Sequence, residues 1–179
     1  MKPGTQAQLT FAAGLLLALS ACVVIAIEPG TPAANAPVAR STWPATASCP
    51  VPARTANDAP RLLALINAER AKAGVQALVA SAAMADVAHR FACEIAARDD
   101  IGHSGSDGST LSERLGRSGI SANLVAENTA SGQRTPEAVM AGWMASPHHR
   151  ANILRAAARS FGLGQADGAQ PYWVTDFSS

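Results

Sequence analysis

Trp143-Met144-Ala145-Ser146-Pro147-His148-His149-Arg150-Ala151-Asn152-Ile153-Leu154 is the stretch on which the reading of this chain turns. Its first residues close a helical pattern. Thr135 before Pro136 and Glu137 has the signature of a helix start, and Val139, Met140, Trp143 and Met144 recur at helical spacing. Ser146-Pro147 ends that pattern, because proline lacks the donor a helix needs and restricts the residue before it. Two adjacent histidines follow the break, which places imidazoles in a connection rather than on regular structure.

Outward from this stretch, helical and extended signals separate. Downstream, Ser160-Phe161-Gly162-Leu163-Gly164 and Tyr172-Trp173-Val174-Thr175-Asp176-Phe177 alternate as strands, joined by a turn around Asp167-Gly168. Upstream, Leu124-Val125-Ala126 predicts another short strand that ends at Glu127. Thr110-Leu111-Ser112-Glu113 has capping-box spacing and opens a short helix closing near Gly119. Ser81 caps a longer helix in which Met84, Val87, Ala88, Phe91 and Ile95 form one apolar stripe. Cys93 lies nine residues past Met84, about 180° around the helix, and so faces away from that stripe. Asp58-Ala59-Pro60 predicts the first helix start, with Asp58 as cap and Gly74 as the stop. Helices come first and a small antiparallel sheet last, which predicts an α+β domain in layers over residues 58–179.

Two segments precede that domain. Residues 1–27 read as an export leader: Lys2 supplies the positive end, no charged residue occurs from Leu9 to Ile27, and Leu19-Ser20-Ala21-Cys22 ends in small residues. The tetrapeptide resembles the bacterial lipobox, which makes Cys22 the lipidation candidate. An uncleaved anchor of about 19 apolar residues and a cut near Ala26 that releases the protein stay open beside it. All three readings place the domain in the cell envelope or outside the cell. Residues 28–57 carry Pro29, Pro32, Pro37, Pro44, Pro50 and Pro52 among Ala, Thr and Ser, and read as a tether. Cys49 and Cys93 are the two cysteines beyond the leader, and in an oxidising compartment such a pair is most simply a disulfide.

Composition excludes some functions. Hydrophobic residues make up 48% and charged residues 15% of the 179, so a core is affordable to a chain of one domain plus extras. Without the leader the charges balance, and aromatics are only 4%, which argues against a nucleic-acid partner held by a basic field or by stacking. There is no Gly-x-Ser-x-Gly elbow, no His-Glu-x-x-His helix and no phosphate-cradling glycine loop. What remains is His103 in Ile-Gly-His-Ser-Gly-Ser-Asp-Gly, Glu127 in Val-Ala-Glu-Asn and His149 after the proline break. Imidazoles and a carboxylate from separate connections suit a divalent metal or proton transfer. Spacings of 24 and 22 residues do not show that they meet. Glu127 can equally accept from turn amides, His148 and His149 can lie in solvent, and Trp143 and Trp173 read as core. His89 and Cys93, four apart on one helical face, form a possible metal pair, against which stands a disulfided Cys93 beside a surface histidine.

In order, Leu65-Ile66-Asn67-Ala68-Glu69-Arg70, His103 with Asp107-Gly108, Ala126-Glu127-Asn128, the Trp143-to-Leu154 stretch, Gly162-Leu163-Gly164 and Tyr172-Trp173-Val174 resemble the CAP superfamily of cysteine-rich secretory, antigen 5 and pathogenesis-related class 1 proteins, in its short bacterial form. The resemblance implies an α-β-α sandwich around an open cleft. It implies His103 and His149 as cleft histidines able to hold zinc or another divalent cation, and Glu127 as the acid of the Glu-Asn motif and the candidate catalytic residue. Ser146 stands where the family's second glutamate is expected. The missing acid points to an exported domain that binds a small lipid-like ligand or an envelope protein in its cleft without turnover. A metal-assisted envelope hydrolase or peptidase and a tethered protein-interaction module are the alternatives.

Overall fold

The hairpin predicted from the tail is β3 (Ser160–Asp167) and β4 (Pro171–Ser178), which pair antiparallel. This computed structural model describes residues 43–179; the leader, Cys22 and the first part of the tether lie outside the described residues. β2 (Val125–Ser131) pairs antiparallel with the outer side of β4, placing Glu127 directly opposite Asp176. β1 (Val79–Ala80) adds a two-residue parallel edge on β3, so the sheet order is β1-β3-β4-β2 and the expected antiparallel sheet becomes a mixed one.

On one face of the sheet lies α2 (Ala82–Arg98), capped by Ser81, whose Oγ accepts from Met84 N at 3.4 Å. Its approach is set by Gly162 and Gly164. A Cβ on Gly164 would stand 2.0 Å from the carbonyl carbon of Ala88, and one on Gly162 would stand 2.4 Å from that of Met84. α3 (Leu111–Arg117) joins this side, with both hydrogen bonds of the predicted Thr110–Glu113 capping box formed. The opposite face packs Leu62 and Ile66 of α1 (Thr55–Lys72), Val139 and Trp143 of α4 (Pro136–Ala145) and Ile153 of α5 (Pro147–Ile153) against Phe161, Trp173 and Phe177. The result is an α-β-α sandwich, with Trp143 and Trp173 in the core as expected.

Four local expectations change. α1 begins at Thr55, and Asp58 lies inside it, accepting from Gln165 Nε2 at 2.9 Å rather than capping the helix. Ser146-Pro147 ends α4 but also begins α5, since proline at the first helical position gives up only an amide that would have no partner there. His148 and His149 are therefore helical. β2 runs through the polar Glu127-Asn128-Thr129 instead of stopping at Glu127.

Finally, residues 43–57, read as tether, lie against the domain. Trp43 packs with Met84, Val87 and Leu115, with the guanidinium groups of Arg90 and Arg117 at 5.4 and 5.6 Å from its ring centre. Cys49 is disulfide-bonded to Cys93, Cα to Cα 5.6 Å, across 44 residues. In the chain-entropy model such a closure contributes about 4 kcal/mol.

The motif residues mostly hold backbone. Arg70, fully buried, donates to the carbonyls of Gln76, Ile153, Arg155 and Ala158 at 2.7–3.1 Å, tying α1 to the end of α5. Asn67 brackets Leu78, donating to its carbonyl at 3.0 Å and accepting from its amide at 2.8 Å. On β2, Trp143 Nε1 donates to Thr129 O and Asn152 Nδ2 to Glu127 O, each at 3.1 Å.

Candidate functional site

The loop that carries His103 is built before its ring has any work to do. Asp107 Oδ1 accepts from Ser109 N at 3.0 Å and Gly108 takes φ 82°, a tight turn that needs glycine at that position. Hydrogen bonding to Ser109 and the pairing with Arg117 at 2.6 Å hold the Asp107 carboxyl at about 2. From α2, buried Glu94 accepts from Ser106 N at 2.6 Å. Arg114 of α3, fully buried with its guanidinium 3.7 Å from the Phe91 ring centre, donates to the carbonyls of His103 and Ser109 at 3.0 Å each.

The structure brings His103 and Glu127 together. His103 Nδ1 donates to Glu127 Oε1 at 2.9 Å, and Arg114 donates to Oε2 at 2.6 Å. The imidazole side chain is 59% exposed and Glu127's is 3%, so the acid is interior and the ring faces solvent through Nε2. The hydrogen bond to Glu127 raises His103 above the usual imidazole range, against the lowering by partial burial. Across the strand pair, Asp176 is completely buried, and among the described residues no donor reaches either of its oxygens. Burial first, and the Glu127 charge second, push its carboxyl well above the ordinary range.

His149 arrives from the other side of β2. Its carbonyl accepts from Asn128 Nδ2 at 3.1 Å, and its ring meets the edge of Trp143 with centres 6.5 Å apart. Burial lowers its pKa, and the charges of His103 and His148 lower it further, so His103 and His149 sit within electrostatic reach without a direct bond. His148 is exposed. Ser146 is half-buried at the α4–α5 junction and makes no side-chain capping bond. A cleft of about 440 Å³ opens between the His103 loop and β2, lined by His103, Ser104, Leu111, Ser112, Ala126 and Glu127 among others.

Of the groups considered for metal, the donors differ sharply. Among the described residues His103 Nε2 has no partner, and its ring is oriented by a carboxylate, the usual outer partner of a metal-bound histidine. Glu127 has both oxygens engaged, which leaves His103 and His149 as the imidazoles that would hold an ion, and two imidazoles fit only a weakly held one. Among the described residues, the one set of three potential ligand atoms lying within 4.8 Å of one another is Cys49, His89 and Cys93, with both sulphurs in the disulfide.

Arg114 and Asp176 were invisible to the motif reading. Both carried a signal in the spacing: Arg114 falls between Leu111 and Leu115 on one side of α3, and Asp176 continues the Tyr172, Val174 alternation into the core. An ionisable group on an apolar face asks for a reason, and both groups lead to Glu127: Arg114 pairs with it, and Asp176 lies opposite it in the strand register.

Comparison with known proteins places this arrangement in a lineage. The sequence model of the family described as "CAP: Cysteine-rich secretory protein family" matches residues 63–177. The uncharacterized protein YkwD of Bacillus subtilis (strain 168) is 29% identical over 117 residues, 65% of this chain and 45% of that protein, so the chain spans less than half of that curated relative. An outer surface protein of Borrelia burgdorferi superposes with a TM-score of 0.65 at 24% identity, covering 70% of this chain and 94% of that one. An extracellular SCP-domain protein of Bacillus anthracis gives 0.65 at 24% identity, covering 73% and 45%, and a cysteine-rich secretory protein of Staphylococcus aureus gives 0.61 at 19%, covering 71% and 40%. At such identities the structures establish a shared fold and nothing more. Since the family match runs from α1 to β4 and takes in every segment that builds the cleft, the chain belongs to the cysteine-rich secretory protein (CAP) family.

Proposed function

We propose that the chain works outside the cytoplasm as a binding domain, with the cleft beside His103 and Glu127 as its ligand surface and no turnover there. One observation carries this reading: both oxygens of Glu127 are engaged, one by His103 and the other by buried Arg114. A general base needs a lone pair aimed at a water or a substrate hydroxyl, and here His103 at 2.9 Å and Arg114 at 2.6 Å take one oxygen each. Ser146, where the resemblance led one to expect a second acid, supplies no carboxylate to share the work. The cleft lining of small hydroxyls and short apolar side chains suits an uncharged ligand with an apolar body, of the lipid-like class.

Export is supported by the Cys49–Cys93 disulfide, which belongs to oxidising compartments, and by the leader with its lipobox-like Cys22. No helix among the described residues is long and apolar enough to cross a membrane. A zinc ion would be held by His103 Nε2 and His149, and when bound it would supply a positive anchor for a carbonyl group of the ligand.

The test has two arms. Zinc titrated calorimetrically into the oxidised full chain should bind at least about tenfold tighter than to a His103→Ala/His149→Ala chain; equal binding removes the ion from the proposal. A panel of peptides and esters should show no turnover with or without zinc. Hydrolysis that is lost in Glu127→Gln would replace the binding reading with a hydrolase.

A further inference from the structure

The disulfide has an unusual neighbour. His89 of α2 lies four residues before Cys93, and its Nε2 stands 3.6 Å from Cys93 Sγ. Its Nδ1 stands 2.9 Å from the carbonyl of Gln165 on β3, while Nε2 is also 3.0 Å from the carbonyl of Cys49. A neutral ring has one N–H and can satisfy only one of those carbonyls. In the tautomer that donates from Nδ1 to Gln165, Nε2 carries the lone pair, and both sulphurs lie within 4.8 Å of the ring's ligand atom. A backbone carbonyl on the far nitrogen is the arrangement that orients metal-binding histidines.

We infer that Cys49, Cys93 and His89 form a second metal site, closed while the disulfide stands and opened by its reduction, selective for a thiophilic ion such as zinc. The distances agree with the ion. With Zn–S about 2.3 Å and Zn–N about 2.05 Å, tetrahedral geometry sets nitrogen and sulphur about 3.6 Å apart and two sulphurs about 3.8 Å apart. His89 and Cys93 already have that separation, and only the two sulphurs must part. A depression of about 320 Å³ lined by Thr46, Ser48, both cysteines and Asp167 gives a reductant access and leaves room for a water as fourth ligand. The steps balance. A dithiol gives two electrons and two protons to the Cys49–Cys93 bond and becomes its own disulfide, yielding two thiols. A divalent ion then binds both sulphurs as their two protons leave to solvent. The ion takes over the covalent clamp, holding Cys49 and the segment around it on α2 before oxidation or after reduction.

Cobalt(II) is the probe, since thiolate ligation gives it a charge-transfer absorption that imidazoles alone do not. The full chain carries Cys22→Ala, so that two thiols remain, and His103→Ala/His149→Ala, so that the cleft contributes nothing. After reduction by a phosphine and its removal without air, one equivalent of cobalt should bind with the thiolate absorption, and zinc should displace it. The same chain with its disulfide intact should bind none. His89→Ala should weaken binding by at least the ten- to hundredfold that losing even an outer partner costs. Absence of the thiolate absorption in the reduced chain, folded or not, overturns the site. Binding of equal strength in His89→Ala overturns it as well, reducing it to a chance pair of thiols. Failure of zinc to bind the cleft of the oxidised chain leaves this result untouched.

Discussion

The two faces of the sheet are packed by opposite means. Towards α2 the sheet is stripped of side chains: Gly162, Gly164 and Ala166 of β3 let helix backbone lie nearly on strand backbone. Towards α1, α4 and α5 the same strand presents Phe161 and Leu163, and space is filled by Trp143, Trp173 and Phe177. The bare face admits one distance between layers, so α2 arrives at a set height and carries the Glu94 bond to the His103 loop and the Cys93 anchor with it. The filled face holds its distance by volume and finds a polar partner for each indole, Thr129 O for Trp143 and Gln133 O for Trp173. Close approach and bulk thus make the same sandwich, and they should fail differently.

The largest effect is expected on the bare face. Gly164→Ala puts a methyl within 2.0–2.2 Å of Ala88 and His89 backbone, atoms that cannot rotate away. We expect a loss on the order of 5 kcal/mol in urea unfolding, enough to prevent a cooperative transition in a marginal domain. A variant that folds with less than about 1 kcal/mol lost would show that α2 slides. On the filled face, Trp143→Ala should cost about 3–5 kcal/mol by leaving a cavity and exposing Thr129 O, yet keep a cooperative transition. Equal costs for a methyl added and an indole removed, with both variants alike in cooperativity, would break the contrast.

The smallest effect concerns Asp176, which sits on the bare side behind the cleft. Its folded pKa lies above its unfolded value, so the native state holds a proton the unfolded chain gives up. Its contribution is therefore fully present below about pH 4 and is lost as pH rises towards the folded pKa. Asp176→Asn keeps the shape, can donate to Glu127 and takes no proton. Stability from pH 4 to pH 7 should then be flatter than in the wild type. A wild-type profile as flat as the variant's would mean that Asp176 is ionised in the fold.

How much of this was legible depends on whether the cause is local. Ser81, Thr110 and Thr135 cap the helices they were read to start, because a cap needs only its next three residues. The hairpin, the disulfide and the two core tryptophans were also readable. α5 was not, since a proline after a helix stops one and starts another by the same chemistry, and only packing of Ile153 decides. β1 is two residues long and exists because Ser81 N and Val79 N find carbonyls on the β3 side. The polar run of β2 is a strand because α5 and α3 supply its partners. In the cleft, His103 and Glu127 stood out by residue type and the family resemblance put them together, whereas Arg114 and Asp176 are meaningful only in the folded chain, Asp176 through the register of β2 and β4. His149 was read as lying in a connection, and the helix it actually occupies fixes its carbonyl on Asn128.

Trp143 and Asn152 have a consequence beyond packing. β2 is an outermost strand, and the carbonyls of Glu127 and Thr129, two residues apart, point away from the sheet. A row of such groups is what an incoming strand from another copy would pair with. An indole and an amide have answered two of them already, so the Trp143-to-Leu154 stretch also takes from that edge groups that a second copy would need to lengthen the sheet.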